Sequence, residues 1–292
     1  MAVTPPPPPG SAAAPERVVF WFGCNIARHG EIVRLSTRIL EAVGVEADPA
    51  GGPSYCCGSP KEANARIAGG MARRTVEAFN ATGRDTVVTW CPSCHMNMDD
   101  FMAPATEAAF ATSHISEVLH ARRDRIAPLL RHRVSVRRAL PHLHHGFNGR
   151  VPVNTLVPDL LRLIPGLEVP EHPCRAPGHM CSALAGVPGA LGAAQRALLA
   201  AAEETGADAL VTVFHSCHRE TVSLERGRPG LRVVNWIHLL AESMGIPHRD
   251  DYKAWRNAPD PREAVGPERL AAAGETAFER LVEPELRRPP PA

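Results

Sequence analysis

The chain has 292 residues, with 32 Lys and Arg against 31 Asp and Glu, a formal net charge of +1. That balance gives no global electrostatic reason to expect nucleic acid or an anionic membrane surface as a partner. The length suits two ordinary domains or one domain built by duplication, and no apolar run approaches the roughly 20 residues that cross a bilayer, which excludes a transmembrane segment.

Residues 1–16 hold five consecutive prolines at 5–9 and neither a basic start nor an apolar stretch, so they read as a disordered tail with no export signal. A cytoplasmic location follows as the expectation. Eight cysteines are then poorly explained as disulfides, because cytosolic thiols stay reduced; clustered cysteines there point to metal.

Residues 17–22 form a short β-branched and aromatic run ending at Gly23-Cys24, the pattern of a buried strand. Ile32, Leu35, Ile39, Leu40 and Val43 recur at helical spacing over 31–43, with Gly44 as the stop. A turn at Gly51-Gly52-Pro53 precedes Tyr55-Cys56-Cys57-Gly58. A helix is expected over 61–80 and a strand over 86–90, closing on Cys91-Pro92-Ser93-Cys94. Alternating strands and helices predict an α/β unit with a parallel sheet, whose sites form at the carboxyl ends of the strands, where all five cysteines fall.

The second half repeats the first at an offset of about 123 residues. WFGCN at 21–25 aligns with HHGFN at 144–148, and TGRDTVVTWCPSCH at 82–95 with TGADALVTVFHSCH at 205–218. The expected fold is therefore α/β, two pseudo-symmetric lobes from an internal duplication, each with a small, mainly parallel sheet. The first repeat takes 17–125 and the second 126–250. The Arg-rich stretch 122–138 at the join reads as a solvated face or linker. Residues 251–292 read as a charged, Pro-rich extension with a peripheral helix over 267–282.

Cys24, Cys56, Cys57, Cys91 and Cys94 would bring five thiolates from three loops. Soft thiolates bind iron–sulfur clusters or zinc, and a tandem Cys-Cys cannot easily aim both sulfurs at one tetrahedral ion, so five ligands favour a cluster; zinc and plain buried thiols are the alternatives. Gly58 would let backbone N–H groups approach the site.

These residues resemble the cysteine-rich CCG domain of the heterodisulfide reductase family, also found in iron–sulfur subunits of glycolate oxidase, lactate-utilisation proteins and some succinate dehydrogenases. The resemblance spans roughly residues 17–250. It implies that Cys24, Cys56, Cys57, Cys91 and Cys94 ligate a noncubane [4Fe-4S] cluster. It also implies an oxidoreductase subunit working by electron transfer or by thiol/disulfide or quinone-linked chemistry, with a separate ferredoxin-like or flavoprotein partner through which peripheral membrane association could arise.

The second repeat departs from the family pattern. Phe147 stands at the place of Cys24, Phe214 at that of Cys91, and the Cys pair falls on His179-Met180 or Met180-Cys181. A second five-cysteine cluster is therefore not expected. Cys174, Cys181 and Cys217 remain, with His144, His145, His172, His179, His215 and His218 nearby; three thiolates and one imidazole would make a zinc site, the alternatives being a half that has lost its ligands and become scaffold or a docking face, or a substrate pocket in which one Cys or His acts chemically. The alternatives to a redox subunit are a zinc-binding structural or interaction protein and a cluster-based redox sensor. No Gly-x-Ser-x-Gly or His-Glu-x-x-His motif supports hydrolysis.

Overall fold

The computed structural model describes residues 16–58 and 64–288. The Pro-rich tail up to residue 15, the expected helix start at 61–63 and the closing prolines lie outside the described residues.

The chain opens with strand β1 (Glu16–Gly23), helix α1 (Gly30–Ala42) and strand β2 (Val45–Gly51). Helix α2 (Ala65–Asn80), strand β3 (Thr86–Thr89), the short helix α3 (Pro92–Asn97), strand β4 (Ala111–His114) and helix α4 (Ile115–His120) complete the first lobe. All pairings are parallel, in the order β2-β1-β3-β4. Val18, Val19, Phe20 and Trp21 of β1 are buried, as a central strand covered on both faces requires. Helix α1 turns Ile32, Leu35, Ile39 and Leu40 to the core and ends before Gly44, whose φ of 85° suits a residue without a side chain.

The second lobe repeats the plan. Strand β5 (Ala139–His142), helix α5 (Val153–Arg162), helix α6 (Cys181–Ala185), helix α7 (Ala190–Thr205), strand β6 (Ala209–Thr212), helix α8 (His215–Thr221), strand β7 (Arg232–Asn235) and helix α9 (Trp236–Ser243) follow in order. The sheet is parallel, ordered β5-β6-β7. Where the first lobe has β2, the second has two isolated parallel bridges, Arg138 with Glu168 and His144 with Ala176.

The lobes pack by exchange. Helix α1 of the first lobe lies against α9 of the second, and α5 of the second against α4 of the first. One continuous cluster of buried residues, from Val18 to Ala241, runs through both. The expected duplication is thus seen as a pseudo-symmetric pair sharing a core, and not as two beads on a linker.

One expectation needs correction. The C-terminal extension is not peripheral: helix α10 (Asp251–Asn257) and the helical turns after it bury Tyr252, Val265, Phe278 and Leu286 in a second cluster with Leu140, Leu198, Leu210 and Val233. These apolar residues are widely spaced among charges and prolines, which hid them from a periodicity reading. The Arg-rich join is a solvated face, as expected: Arg123, Arg125, Arg131, Arg133, Arg137 and Arg138 are exposed and Arg122 is half-buried. Arg122 pairs with Glu16, Arg125 donates to the Val43 carbonyl, and Arg138 pairs with Glu168.

Candidate metal centres

Parallel strands deliver their carboxyl ends to one edge of each sheet, and both sets of candidate ligands collect there. In the first lobe Cys24 follows β1, Cys56 and Cys57 follow the turn after β2, and Cys91 and Cys94 flank the start of α3. Four of the five are buried and Cys24 is half-buried; none is in a disulfide. Their thiols interact directly: Cys24 with Cys56, Cys56 with Cys57, Cys57 with Cys94, and Cys94 with Cys91. The structure therefore brings together all five residues singled out by the sequence.

Electrostatically the set suits a bound cation. The hydrogen bond to Cys57, and then burial, push the Cys56 thiol up. Cys94 is raised by hydrogen bonds to Cys57 and Cys91 and by burial. Cys91 is lowered, by hydrogen bonds from Cys94 and from the backbone N–H groups of Cys94 and Ser93. One thiolate is tolerated while its neighbours hold their protons, because like charges in a buried site cannot ionise together. Bound metal would supply positive charge and allow the rest to ionise.

Backbone shape supports the arrangement. The Gly58 N–H donates to Cys56 Sγ at 3.5 Å, the close approach expected of a glycine at this position. Gly58 has φ of 85°, and an added Cβ would stand 2.7 Å from the Ala68 carbonyl oxygen. The Asn97 side-chain amide donates to Cys57 Sγ at 3.6 Å.

The second centre is made differently from the expectation. His142, His144, Cys181 and Cys217 are all buried, and one donor atom from each lies within 4.8 Å of the others. His142 Nε2 is 3.0 Å from Cys181 Sγ, and His144 Nε2 is 3.3 Å from Cys217 Sγ and 3.6 Å from Cys181 Sγ. His144 Nδ1 is 3.0 Å from the Pro177 carbonyl oxygen, so Nδ1–H donates there and Nε2 faces the sulfurs, the orientation seen in metal-bound histidines. Burial pushes the Cys217 thiol up, yet Cys181, His144 and His142 together outweigh it and hold it well below the ordinary thiol value.

Cys174 is not among these four; it is half-buried beside a cavity lined by Ala190, Ala193, Ala194 and Ala197. Of the other histidines named with it, His172 pairs with exposed Glu204, and His215 and His218 on α8 bond instead to Trp90 and Asp250. His142 was missed, since it has no cysteine counterpart in the first repeat.

The counterpart of Cys24 is also corrected, from Phe147 to His144. Trp21 pairs with Thr89, and His142 with Thr212, so the strands superpose Trp21 on His142. A bulge between Trp21 and Gly23 then adds one residue in the first lobe only. Cys24 and His144 consequently each stand at the N-terminal cap of the first short helix after their strand. Phe147 is instead buried between the lobes, edge-on to Phe214 and His114. Residues beside the two centres meet across that interface: Ser93 Oγ lies 2.8 Å from His179 Nε2, and the Trp90 indole N–H donates to His215 Nδ1 at 3.2 Å.

Residues 18–99, which hold the five-cysteine centre, match the family model of the cysteine-rich domain CCG. This segment is a CCG domain. The chain is also 28% identical over 240 residues to an uncharacterized iron–sulfur protein of Methanococcus maripaludis, an alignment covering 77% of this chain and 46% of the relative. The chain thus spans under half the length of the curated relative it matches. Among solved structures, an aspartate racemase homologue from Pyrococcus horikoshii is similar at a TM-score of 0.35 and 10% identity, over 79% of this chain and 98% of that one. An aspartate racemase of Picrophilus torridus gives 0.32 and 12%, over 81% and 98%. Both scores are too low for the likeness to carry an inference about this chain.

Proposed function

We propose that this CCG protein is an iron–sulfur redox subunit, with one cluster held by Cys24, Cys56, Cys57, Cys91 and Cys94. The observation that carries the reading is the meeting of five thiols at one sheet edge, where the main influences on each are other thiols, burial and backbone N–H groups. Packing five thiols together is unfavourable as protein chemistry alone and fits a multi-metal group needing several sulfur ligands. The naming of the Methanococcus maripaludis relative as an iron–sulfur protein supports the same choice.

By its resemblance to the heterodisulfide reductase family, the cluster is of the noncubane [4Fe-4S] type, and the chain works as a cytoplasmic oxidoreductase subunit. When bound, the cluster supplies a one-electron relay for thiol/disulfide or quinone-linked chemistry. The chain's own residues position it, exclude water through buried Trp21, Trp90 and Phe79, and place N–H donors on Cys56, Cys57 and Cys91. The donor is a separate ferredoxin-like or flavoprotein partner. His142, His144, Cys181 and Cys217 fit a tetrahedral zinc ion, since two thiolates and two imidazoles, that of His144 oriented by its hydrogen bond to Pro177, are a structural zinc donor set.

The test is iron, acid-labile sulfide and zinc per chain in anaerobically purified protein, beside a Cys56→Ser, Cys57→Ser variant. About four iron and four sulfide, lost in the variant while zinc stays, is the expected result for a [4Fe-4S] cluster. Zinc at both centres with no iron would instead establish the zinc-protein reading.

A further inference from the structure

A third group of ligand-type side chains lies apart from both thiol centres. His29 ends the short turn after Cys24 in the first lobe, His218 sits on α8 of the second, and Asp250 caps the C-terminal helix α10, so three separate units converge. One donor atom from each lies within 4.8 Å of the others. His238 of α9 and Glu31 of α1 close the ring, with His238 Nε2 and Glu31 Oε1 3.6 Å apart and His238 Nδ1 3.9 Å from Asp250 Oδ2. All three histidines and Glu31 are buried.

Hydrogen bonding divides this group into oriented atoms and unpartnered ones. His218 Nδ1 is engaged by Thr212 Oγ1 at 3.1 Å, which leaves Nε2 facing Asp250 Oδ2 at 2.6 Å. Asp250 Oδ1 accepts the Lys253 N–H at 3.0 Å, which aims Oδ2 inward. By contrast both ring nitrogens of His29, Oε1 of Glu31 and Nε2 of His238 are buried without a hydrogen-bond partner. Each such group costs about 1–3 kcal/mol, and four in one buried cluster, where Glu31 Oε1 lies 3.8 Å from His29 Nδ1 and 3.6 Å from His238 Nε2, are poorly explained by packing. Oriented imidazole and carboxylate donors beside unsatisfied ones are what a metal site presents.

We infer that His29, His218 and Asp250 bind one divalent transition-metal ion at the junction of the two lobes and the C-terminal extension, with His238 and Glu31 as its remaining neighbours. Two imidazoles and a carboxylate, without thiolate, select a borderline ion such as Zn2+, Fe2+ or Co2+ over a soft one. An ion with bonds of about 2.0–2.2 Å needs its ligand atoms roughly 3–4 Å apart, and these donor atoms lie within 4.8 Å of one another. Access is available from two sides. Asp250 and His238 line one cavity of about 290 Å³, and Glu31 lines another of about 390 Å³. The ion would lock α10 to both lobes and does not depend on what the CCG cysteines hold.

Cobalt distinguishes the sites, because thiolate ligands give intense sulfur-to-cobalt charge-transfer absorption and an N/O donor set gives only weak d–d bands. Full-length protein is titrated with Co2+, beside His29→Ala and, separately, Asp250→Asn. His29 makes no side-chain hydrogen bond, and Asp250→Asn keeps its side chain's shape, so the two variants risk folding in different ways. The expected result is one wild-type equivalent without charge transfer, weakened more than about a hundredfold in each folded variant, while the charge-transfer bands stay. Should both variants unfold, the wild-type count decides: one such equivalent upholds the site. Its absence from wild type, or its survival at full affinity in a folded variant, overturns it.

Discussion

His114 offers a quantitative check on the duplicated architecture, because the second lobe shows which residue can replace it. It caps α4 at the end of β4: Nδ1 accepts the Ser116 N–H at 3.3 Å and Nε2–H donates to the Trp90 carbonyl at 3.1 Å. Asn235 caps α9 at the end of β7 and makes the same pair of bonds, Oδ1 accepting from Ile237 N–H at 3.1 Å and Nδ2 donating to the Val213 carbonyl at 3.4 Å. His114→Asn should therefore keep the cap and lose only ring packing against Phe147, Phe214 and His95. A partial cavity of that kind costs about 2 kcal/mol at pH 7. Burial, and then nearby His95, push the His114 imidazole down from 6.5 to about 3. A histidine with a depressed folded-state pKa contributes fully above its unfolded value, and that contribution drains as pH falls from 6.5 towards 3, by about 1.4 kcal/mol per pH unit. At pH 5, roughly 1.5 units into that window, the wild type has lost about 2 kcal/mol that the His114→Asn variant never had at stake. Urea-unfolding midpoints of both proteins at pH 7, 6 and 5 should therefore converge near pH 5. A stability gap that stays constant over this range would refute the neutral, buried His114 and the comparison of the two caps.

The remaining predictions concern the metal centres. Gly58→Ala forces a side chain to φ of 85° and to within 2.7 Å of a backbone oxygen, so a loss of about 2–4 kcal/mol in unfolding free energy and reduced iron content are expected, measured by denaturation and metal analysis. His144→Ala or Cys217→Ser should remove zinc from the second centre while Cys174→Ser leaves it in place; equal zinc in all three would show that the quartet is not the site.

Much of the fold was legible because its signals are local. The buried run before Cys24, the helical spacing over 31–43 and the repeat of TGRDTVVTWCPSCH by TGADALVTVFHSCH fix two parallel α/β units, and parallel strands force their following loops to one edge. The five CCG cysteines were readable for the same reason. Sequence alone could not decide contacts between distant segments. A one-residue bulge in β1 moves the counterpart of Cys24 from Phe147 to His144, and a bulge depends on strand pairing, which composition does not encode. His142 joins Cys181, and His29 meets His218 and Asp250, only because the lobes exchange helices across one shared core and the C-terminal extension folds back over it. The sequence determined which residues can bind metal; the tertiary structure decided which of them share an ion, because coordination requires atoms within a few ångströms and chain order constrains that distance only inside a single loop.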